Sequence, residues 1–377
     1  MSFSLLSASN NLETEEYDPE PKAIFSTPEE YETKISPLKI ALRNKKNLLN
    51  RIEPGKWKQV SHLMCLASSF PYQLRRDYSI SMASMAWIKM QELIYSCELK
   101  VFLQQRSTLK SLHLCEAPGA FISSLLCYLK YNTPIGFQHT WYASSLRSDT
   151  PLQRLNGRSF LDETASHWIY GRDESGDISR RSVKHDIWIQ VGEGSCDFVT
   201  ADGGLDCDQC PEKQEEMAFP LIQAQSIVAL GVLCVGGIFI LKTFGALESR
   251  TVAWIVWLSS LFDKVKWHKP IASKPCNSEV YWIGQGFKGL KDSTMLKDHP
   301  RLNTIWSEEV AEKLWTAQCS ISASQLHHLS CAIELAVLPI PLPVKTVRQS
   351  AWEKHFKKDL LHFLCFPHSP LLSNHKF

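Results

Sequence analysis

The apolar positions of this chain fall first into helical spacing and later into short continuous runs. Over 36–60, ISPLKIALRNKKNLLNRIEPGKWKQ, the residues Leu38, Ile40, Leu42, Leu48, Leu49 and Ile52 give an irregular apolar side to a predicted helix. A second helix is predicted over 80–97, where Met82, Met85, Ala86, Met90, Leu93 and Ile94 recur at helical spacing. From 111 the pattern changes. SLHLCEA (111–117) reads as a strand, Pro118 and Gly119 punctuate it, and AFISSLLCYLK (120–130) reads as a helix. TWYASSL (140–146) and CDFVTADGG (196–204) read as further strands, the second ending in a turn. A helix over roughly 212–230 leads into the strand GGIFILKTF (236–244), and another helix covers about 248–262. DKVKWHKPI (263–271) and SEVYWIGQGF (278–287) form a closing pair of strands. Strands alternating with helices predict an α/β fold, a mostly parallel sheet with helices on both faces. The segment 300–377 reads as mostly helical with a Pro-rich joint at LPIPLPV (338–344), and the acidic, Pro-dotted residues 1–30 are expected to be disordered.

Composition narrows the class. With 377 residues, 44% of them hydrophobic, the chain can bury one large core or two smaller ones. A formal net charge of +2 removes any global basic field, so nucleic acid would have to meet a local face. Arg43, Lys45, Lys46 and Arg51 offer one, either as a solvated helix side or as contacts to RNA phosphates. The 12 cysteines show no framework spacing, the N-terminus has no long apolar segment, and the run Ile227–Leu241 is broken by glycines. These features predict an intracellular, soluble protein with reduced thiols and no membrane span. Cys207 and Cys210 have metal-like spacing, but no second such pair completes a tetrahedral site, and no metal is expected. Trp87, Trp141, Trp168 and Trp282 could stack a base, with core packing the stronger expectation.

The chemistry lies at the strand ends, where ligands bind in open α/β sheets. After the first strand comes the tight turn Glu116-Ala117-Pro118-Gly119-Ala120-Phe121; after a later one, Asp202-Gly203-Gly204; and the apolar run Ile238–Leu241 ends in Lys242. Lysine is rarely buried without a partner, so its place at the end of a core strand calls for one.

In register, SLHLCEAPGAFISSL, ASHWIYGRDESGDI, FVTADGGLDC, LKTF and KPCNSEVYWIG resemble the FtsJ-like ribose 2′-O-methyltransferases. Within that group they resemble the cap-specific mRNA 2′-O-methyltransferase 2 family, which methylates the second transcribed nucleotide. The resemblance covers roughly 30–290. It implies a Rossmann-like S-adenosylmethionine-dependent methyltransferase domain over 106–295 with a helical N-terminal region over 31–105; the mostly helical C-terminal extension over 296–377 is read from the pattern, and the resemblance weakens there. It implies the catalytic tetrad Lys89, Asp202, Lys242 and Glu279. Lys242 would be the general base for the ribose hydroxyl, steered by the two carboxylates, with Lys89 adding positive charge. It implies S-adenosyl-L-methionine at Glu116, Gly119, Ala120, Phe121, Asp177 and Asp202, with Asp177 accepting from the adenine amino group. The acidic residue often found after the second strand is replaced by Ala143-Ser144-Ser145, and Asp173 reads as a turn residue. Capped mRNA as partner and a nuclear and cytoplasmic location follow from the same resemblance. Family members usually carry a second, inactive methyltransferase-like half, for which this chain is too short. Methylation of the first nucleotide or of ribosomal RNA, and a catalytically inactive RNA-binding module, are the alternatives; the intact tetrad speaks against the last.

Overall fold

The computed structural model describes residues 25–104, 106–147, 160–205, 207, 210–290 and 306–337. Six strands form one sheet: β1 (Thr108–Leu114), β2 (Gln138–Ser144), β3 (Cys196–Ala201), β4 (Leu233–Thr243), β5 (Phe262–His268) and β6 (Val280–Phe287). Their order is β2-β1-β3-β4-β6-β5. The first four positions run parallel, while β6 is antiparallel to β4 and β5 antiparallel to β6. This order has two consequences for the site. The carboxyl ends of β1, β3 and β4 and the start of β6 share one edge, with Lys242 opposite Tyr281. The order in which strands are added also switches sides between β1 and β3, which is where open sheets bind ligands.

Eleven helices of the described residues surround the sheet. They are α1 (Pro28–Leu49), α2 (Pro54–Met64), α3 (Phe70–Tyr78), α4 (Met85–Ser96), α5 (Leu99–Leu103), α6 (Ala120–Asn132), α7 (Phe160–Glu163), α8 (Arg181–Val191), α9 (Gln214–Val232), α10 (Ser249–Ser260) and α11 (Glu308–Val337). A strand covered on both faces needs no alternation, and β4 shows this. Its Phe239 and Leu241 pack with residues of α8, α9 and α10, whereas Ile238 and Ile240 pack with Met90, Leu93, Phe121 and Leu125 of α4 and α6. The four consecutive apolar residues Ile238–Leu241 are therefore all buried.

The helical N-terminal region departs from expectation. The single helix predicted over 36–60 is two helices. α1 starts at Pro28, its first turn capped by Thr27 Oγ1, which accepts from Glu30 N at 3.2 Å. Glu53 accepts from Gly55 N and Lys56 N to start α2 at Pro54, a residue suited to the first helical position. Disorder over 1–30 does not hold for 25–30: Phe25 is fully buried between Tyr31 and Trp315, with ring centroids 5.1 and 5.0 Å away. A buried aromatic anchor overrides the polar composition around it. Residues 1–24 lie outside the described residues, as do 291–305 and the Pro-rich joint with the rest of 338–377. α8 has no counterpart in the sequence-based expectation, although Val183, Ile187 and Val191 recur every fourth residue and are buried. Among the described residues, no helix is long and apolar enough to cross a membrane.

Candidate active site

Lys242 stands one residue before the end of β4. Its ammonium donates to the Asp202 carbonyl at 2.8 Å and lies 3.3 Å from Asp202 Oδ1. Asp202 follows the end of β3, and its Oδ1 also accepts from the Tyr281 hydroxyl at 2.7 Å. The two glycines after Asp202 let the turn pass this closely. A Cβ on Gly204 would sit 3.1 Å from Lys242 Nζ, and one on Gly203 would sit 2.5 Å from Gln225 Oε1, to which Gly203 N donates. Burial pushes the Lys242 pKa down, but Asp202 and then Glu279 outweigh it and hold it above the usual lysine value.

Lys89 comes from α4, whose first turn Ser84 caps by accepting from Trp87 N at 3.2 Å. It is no surface lysine: its ammonium lies 2.7 Å from Glu279 Oε1, with only 14% of the side chain exposed. Glu279 immediately precedes β6 and also accepts from Ser273 Oγ. Burial raises its pKa, yet Lys89 and Lys242 together bring it down to about 2. All four residues of the expected tetrad therefore converge at one edge, as two buried lysine–carboxylate pairs coupled through the Lys242–Glu279 interaction.

Sequence reasoning missed three residues that hold this arrangement. Glu92, one helical turn after Lys89, accepts from Ile271 N at 2.7 Å and Ala272 N at 2.9 Å, docking the loop before Glu279 onto α4. Burial raises its pKa to about 7. Lys269 donates to the carbonyls of Asn277, at 2.9 Å, and Glu279, at 2.6 Å, closing the same loop on itself; burial lowers its pKa to about 7. Tyr281, the third, orients Asp202. The i, i+3 spacing of Lys89 and Glu92 in a largely apolar helix is the one sequence signal that could have flagged Glu92.

The turn after β1 divides into two kinds of residue. The Glu116 carboxylate accepts from Phe121 N at 2.7 Å and Ile122 N at 3.2 Å, so it caps α6, and burial raises its pKa. The Phe121 ring is buried in the core, 6.4 Å from that of Tyr281. What this leaves of the turn is the buried backbone at Gly119 and Ala120, where Gly119 N donates to the Glu116 carbonyl at 2.8 Å. Gly119 has φ 110°, a left-handed conformation that glycine adopts readily. A Cβ there would lie 2.4 Å from the Phe160 ring, which stacks on Trp141 at 5.8 Å. At the end of β2, where an acidic residue is absent, Ser144 Oγ is buried without a hydrogen-bond partner. Asp177 follows Gly176, which packs against the Ser145 carbonyl. Its carboxylate accepts from Ser179 N at 3.0 Å and lies 3.4 Å from the Arg180 guanidinium. Asp173 accepts from Ser175 N at 3.1 Å in the expected turn. A glycine-lined backbone turn, an unpartnered buried hydroxyl and a carboxylate on one rim fit a ligand carrying amino, carboxylate and hydroxyl groups.

The remaining expectations separate cleanly. Trp87, Trp141, Trp168 and Trp282 are all buried. In the basic stretch, Arg43 and Arg51 are exposed, but Lys46 is turned inward, donating to Ser278 Oγ at 2.8 Å and the Pro211 carbonyl at 3.3 Å. Lys46 thus leaves the set of residues offered to RNA phosphates.

The FtsJ-like methyltransferase family matches residues 82–287, more than half of the chain and every residue of the edge described above. The chain belongs to the FtsJ-like methyltransferases. Members of this family generally depend on S-adenosylmethionine. The chain is 32% identical over 274 residues to the Danio rerio cap-specific mRNA (nucleoside-2′-O-)-methyltransferase 2, covering 70% of this chain and 36% of that protein. Its likeness to the Drosophila melanogaster protein of the same name is 30% identity, over 78% of this chain and 41% of that one. A shorter relative, the cap-specific mRNA (nucleoside-2′-O-)-methyltransferase of Autographa californica nuclear polyhedrosis virus, is 31% identical over 46% of this chain and 62% of its own length. This FtsJ-like chain therefore spans well under half the length of the two animal relatives.

The Glu279 pairs predict an acid limb in stability. A carboxyl held at about 2 when folded, against 4.5 ordinarily, contributes stability that is present above the unfolded value and lost as pH falls toward 2. Glu92 and Glu215, raised to about 7, act in the opposite sense between 7 and 4.5, so the comparison must be with a variant. Urea melts of Glu279→Gln should show a slope against pH smaller by about one proton below 4.5. Parallel curves for the two proteins would remove Glu279 from the paired state.

Proposed function

We propose that this chain is an S-adenosylmethionine-dependent mRNA cap ribose 2′-O-methyltransferase acting on the second transcribed nucleotide. The observation that carries the reading is the convergence of Lys89, Asp202, Lys242 and Glu279 at the carboxyl edge of the sheet, beside the Gly119 turn. The names of the animal relatives support the cap and the nucleotide position.

The reading of the cofactor site rests on fit. The Gly119–Ala120 backbone would hold its amino-acid portion, Ser144 Oγ is the unpaired group nearest the end of β2, and Asp177 would accept from the adenine amino group. When bound, S-adenosylmethionine supplies an electrophilic methyl group and a positive charge. Everything else falls to the chain. An ammonium has three N–H donors, and Asp202 engages two directions of Lys242, leaving one for the ribose hydroxyl. The carboxylates hold Lys242 protonated, so its conversion to a base requires positive charge nearby to oppose them. Lys89, on the far side of Glu279, supplies part of it and also favours the developing alkoxide. Tyr281, by donating to Asp202, keeps that carboxylate aimed at Lys242. Burial of both pairs lowers the local dielectric and strengthens each of these interactions.

The test uses purified protein, a labelled methyl donor and two capped RNAs, one already methylated at the first ribose. Label at the second nucleotide supports the proposal. Label confined to the first nucleotide, or to uncapped ribosomal RNA alone, assigns the activity to another position, and no label on any RNA leaves an inactive module.

A further inference from the structure

The buried strip of α11 carries polar groups. Gln318, Ser322 and Gln325 lie in it with Ala311, Leu314, Leu329 and Ala332, and each of the three is at most 4% exposed. Buried polar groups are costly unless hydrogen-bonded, and the partners here are informative. Gln318 Oε1 accepts from Ala246 N at 2.9 Å, four residues beyond Lys242, and its Nε2 donates to Ser322 Oγ at 2.8 Å. Two turns on, Gln325 Nε2 donates to the Cys276 carbonyl at 3.0 Å and to Ser278 Oγ at 3.2 Å, directly before Glu279. Lys46 of α1 donates to the same Ser278 Oγ at 2.8 Å. One face of one helix therefore reaches the loop that follows Lys242 and the loop that carries Glu279. Both α11 and Lys46 lie outside the segment 82–287 that defines the family.

We propose that α11 is a positioning element of the catalytic edge, and that Gln325, together with Lys46, fixes Glu279 through Ser278. The inference rests on the methyl-transfer reading for its kinetic consequence, not for its geometry. Ser278 is gripped from α11 and α1, Ile271 and Ala272 from α4 by Glu92, and Lys269 ties Asn277 to Glu279. Removing the Ser278 grip leaves the fold's core untouched but frees the residue that sets the Glu279 backbone. Around the carboxylate itself stand Lys89, Lys242 and Ser273, so a change in its placement is read as a change in its pairing with the two lysines.

The experiment compares wild type with Gln325→Leu, which keeps the side-chain volume and removes the donors. The expected result is a fall in kcat on the order of tenfold, the scale of a small misplacement, with KM for RNA and the affinity for S-adenosylmethionine unchanged. In a Glu279→Gln background the same substitution should cause no further loss. The Glu279 carboxyl, followed by carbon NMR with labelled glutamate, should titrate above about 2. That readout needs no methyl transfer, so it decides the inference even if wild type proves inactive and the functional reading fails. Should Gln325→Leu not fold, Ser278→Ala removes the shared acceptor and carries the same expectations. An unchanged kcat with an unmoved Glu279 carboxyl, or equal losses in the wild-type and Glu279→Gln backgrounds, would overturn the proposal.

Discussion

Lys242→Met is expected to lower methyl transfer on the order of a thousandfold while the affinity for S-adenosylmethionine stays near that of the parent. The substitution keeps an unbranched apolar stem and removes the amine proposed to take the ribose proton. General-base contributions of this size are ordinary. The pH dependence gives a second readout. The carboxylates of Asp202 and Glu279 hold Lys242 above the usual lysine value, so its neutral form grows as pH rises. The wild-type rate at saturating substrate should therefore climb with pH on the alkaline side, and Lys242→Met should lose that limb. Stability is affected in a known direction. A lysine whose folded pKa is raised contributes stability present below the unfolded value and lost as pH rises through the folded one. Single-turnover rates and calorimetry of the donor check both halves. A variant retaining a tenth of the rate would exclude Lys242 as the base and leave it a strand-end ion pair.

How much of this was legible depends on what each residue's placement rests on. The sheet could be read because its strands are buried on both faces: Ile238–Leu241 form a continuous apolar run, bounded by Gly237 and Lys242. The tetrad positions could be named because strand ends are fixed by the strands themselves, and because the motifs around them resemble a known family. Lys89 shows the limit. Nothing in its own helix separates it from a lysine reaching to solvent; only the arrival of Glu279 from residues far along the chain makes it a buried partner. Lys46 fails in the opposite direction. Its neighbours Arg43 and Arg51 are exposed, and the basic periodicity gave it the same status, but the loops at Pro211 and Ser278 close over it. Lys269 and Gln325 were not legible at all, and Glu92 only through its spacing from Lys89, since each answers a backbone group of a loop whose path is a tertiary fact. Phe25 belongs here too: composition places it in a disordered tail, and a long-range contact with Trp315 decides otherwise.

The second large effect is expected at Gly119. Gly119→Val should reduce S-adenosylmethionine affinity by at least about tenfold, equivalent to about 1.4 kcal/mol, with RNA affinity less affected. Two separate causes act together. At φ 110° any side chain is strained, at a cost of about 1–3 kcal/mol for such backbone conformations, so the turn will relax toward negative φ. A Cβ would also meet Phe160 Cδ1 at 2.4 Å, and that ring is held by stacking on Trp141, itself stacked on His167 with centroids 4.1 Å apart. Relief of either conflict moves the Gly119–Ala120 backbone, which is the part of the turn proposed to meet the donor once Glu116 has been drawn into capping α6. The Glu116 contact also explains why the damage should stay local: the carboxylate anchors the first turn of α6 from the other side, so the helix persists when the turn shifts. Alanine at the same position separates the causes. Gly119→Ala carries the same backbone strain and the same Cβ but no further bulk, and should account for most of the loss if the turn's conformation is what the donor reads. Calorimetry with S-adenosylmethionine, beside circular dichroism to verify the fold, makes the measurement, and a folded Gly119→Val protein with parental donor affinity would detach this turn from the cofactor.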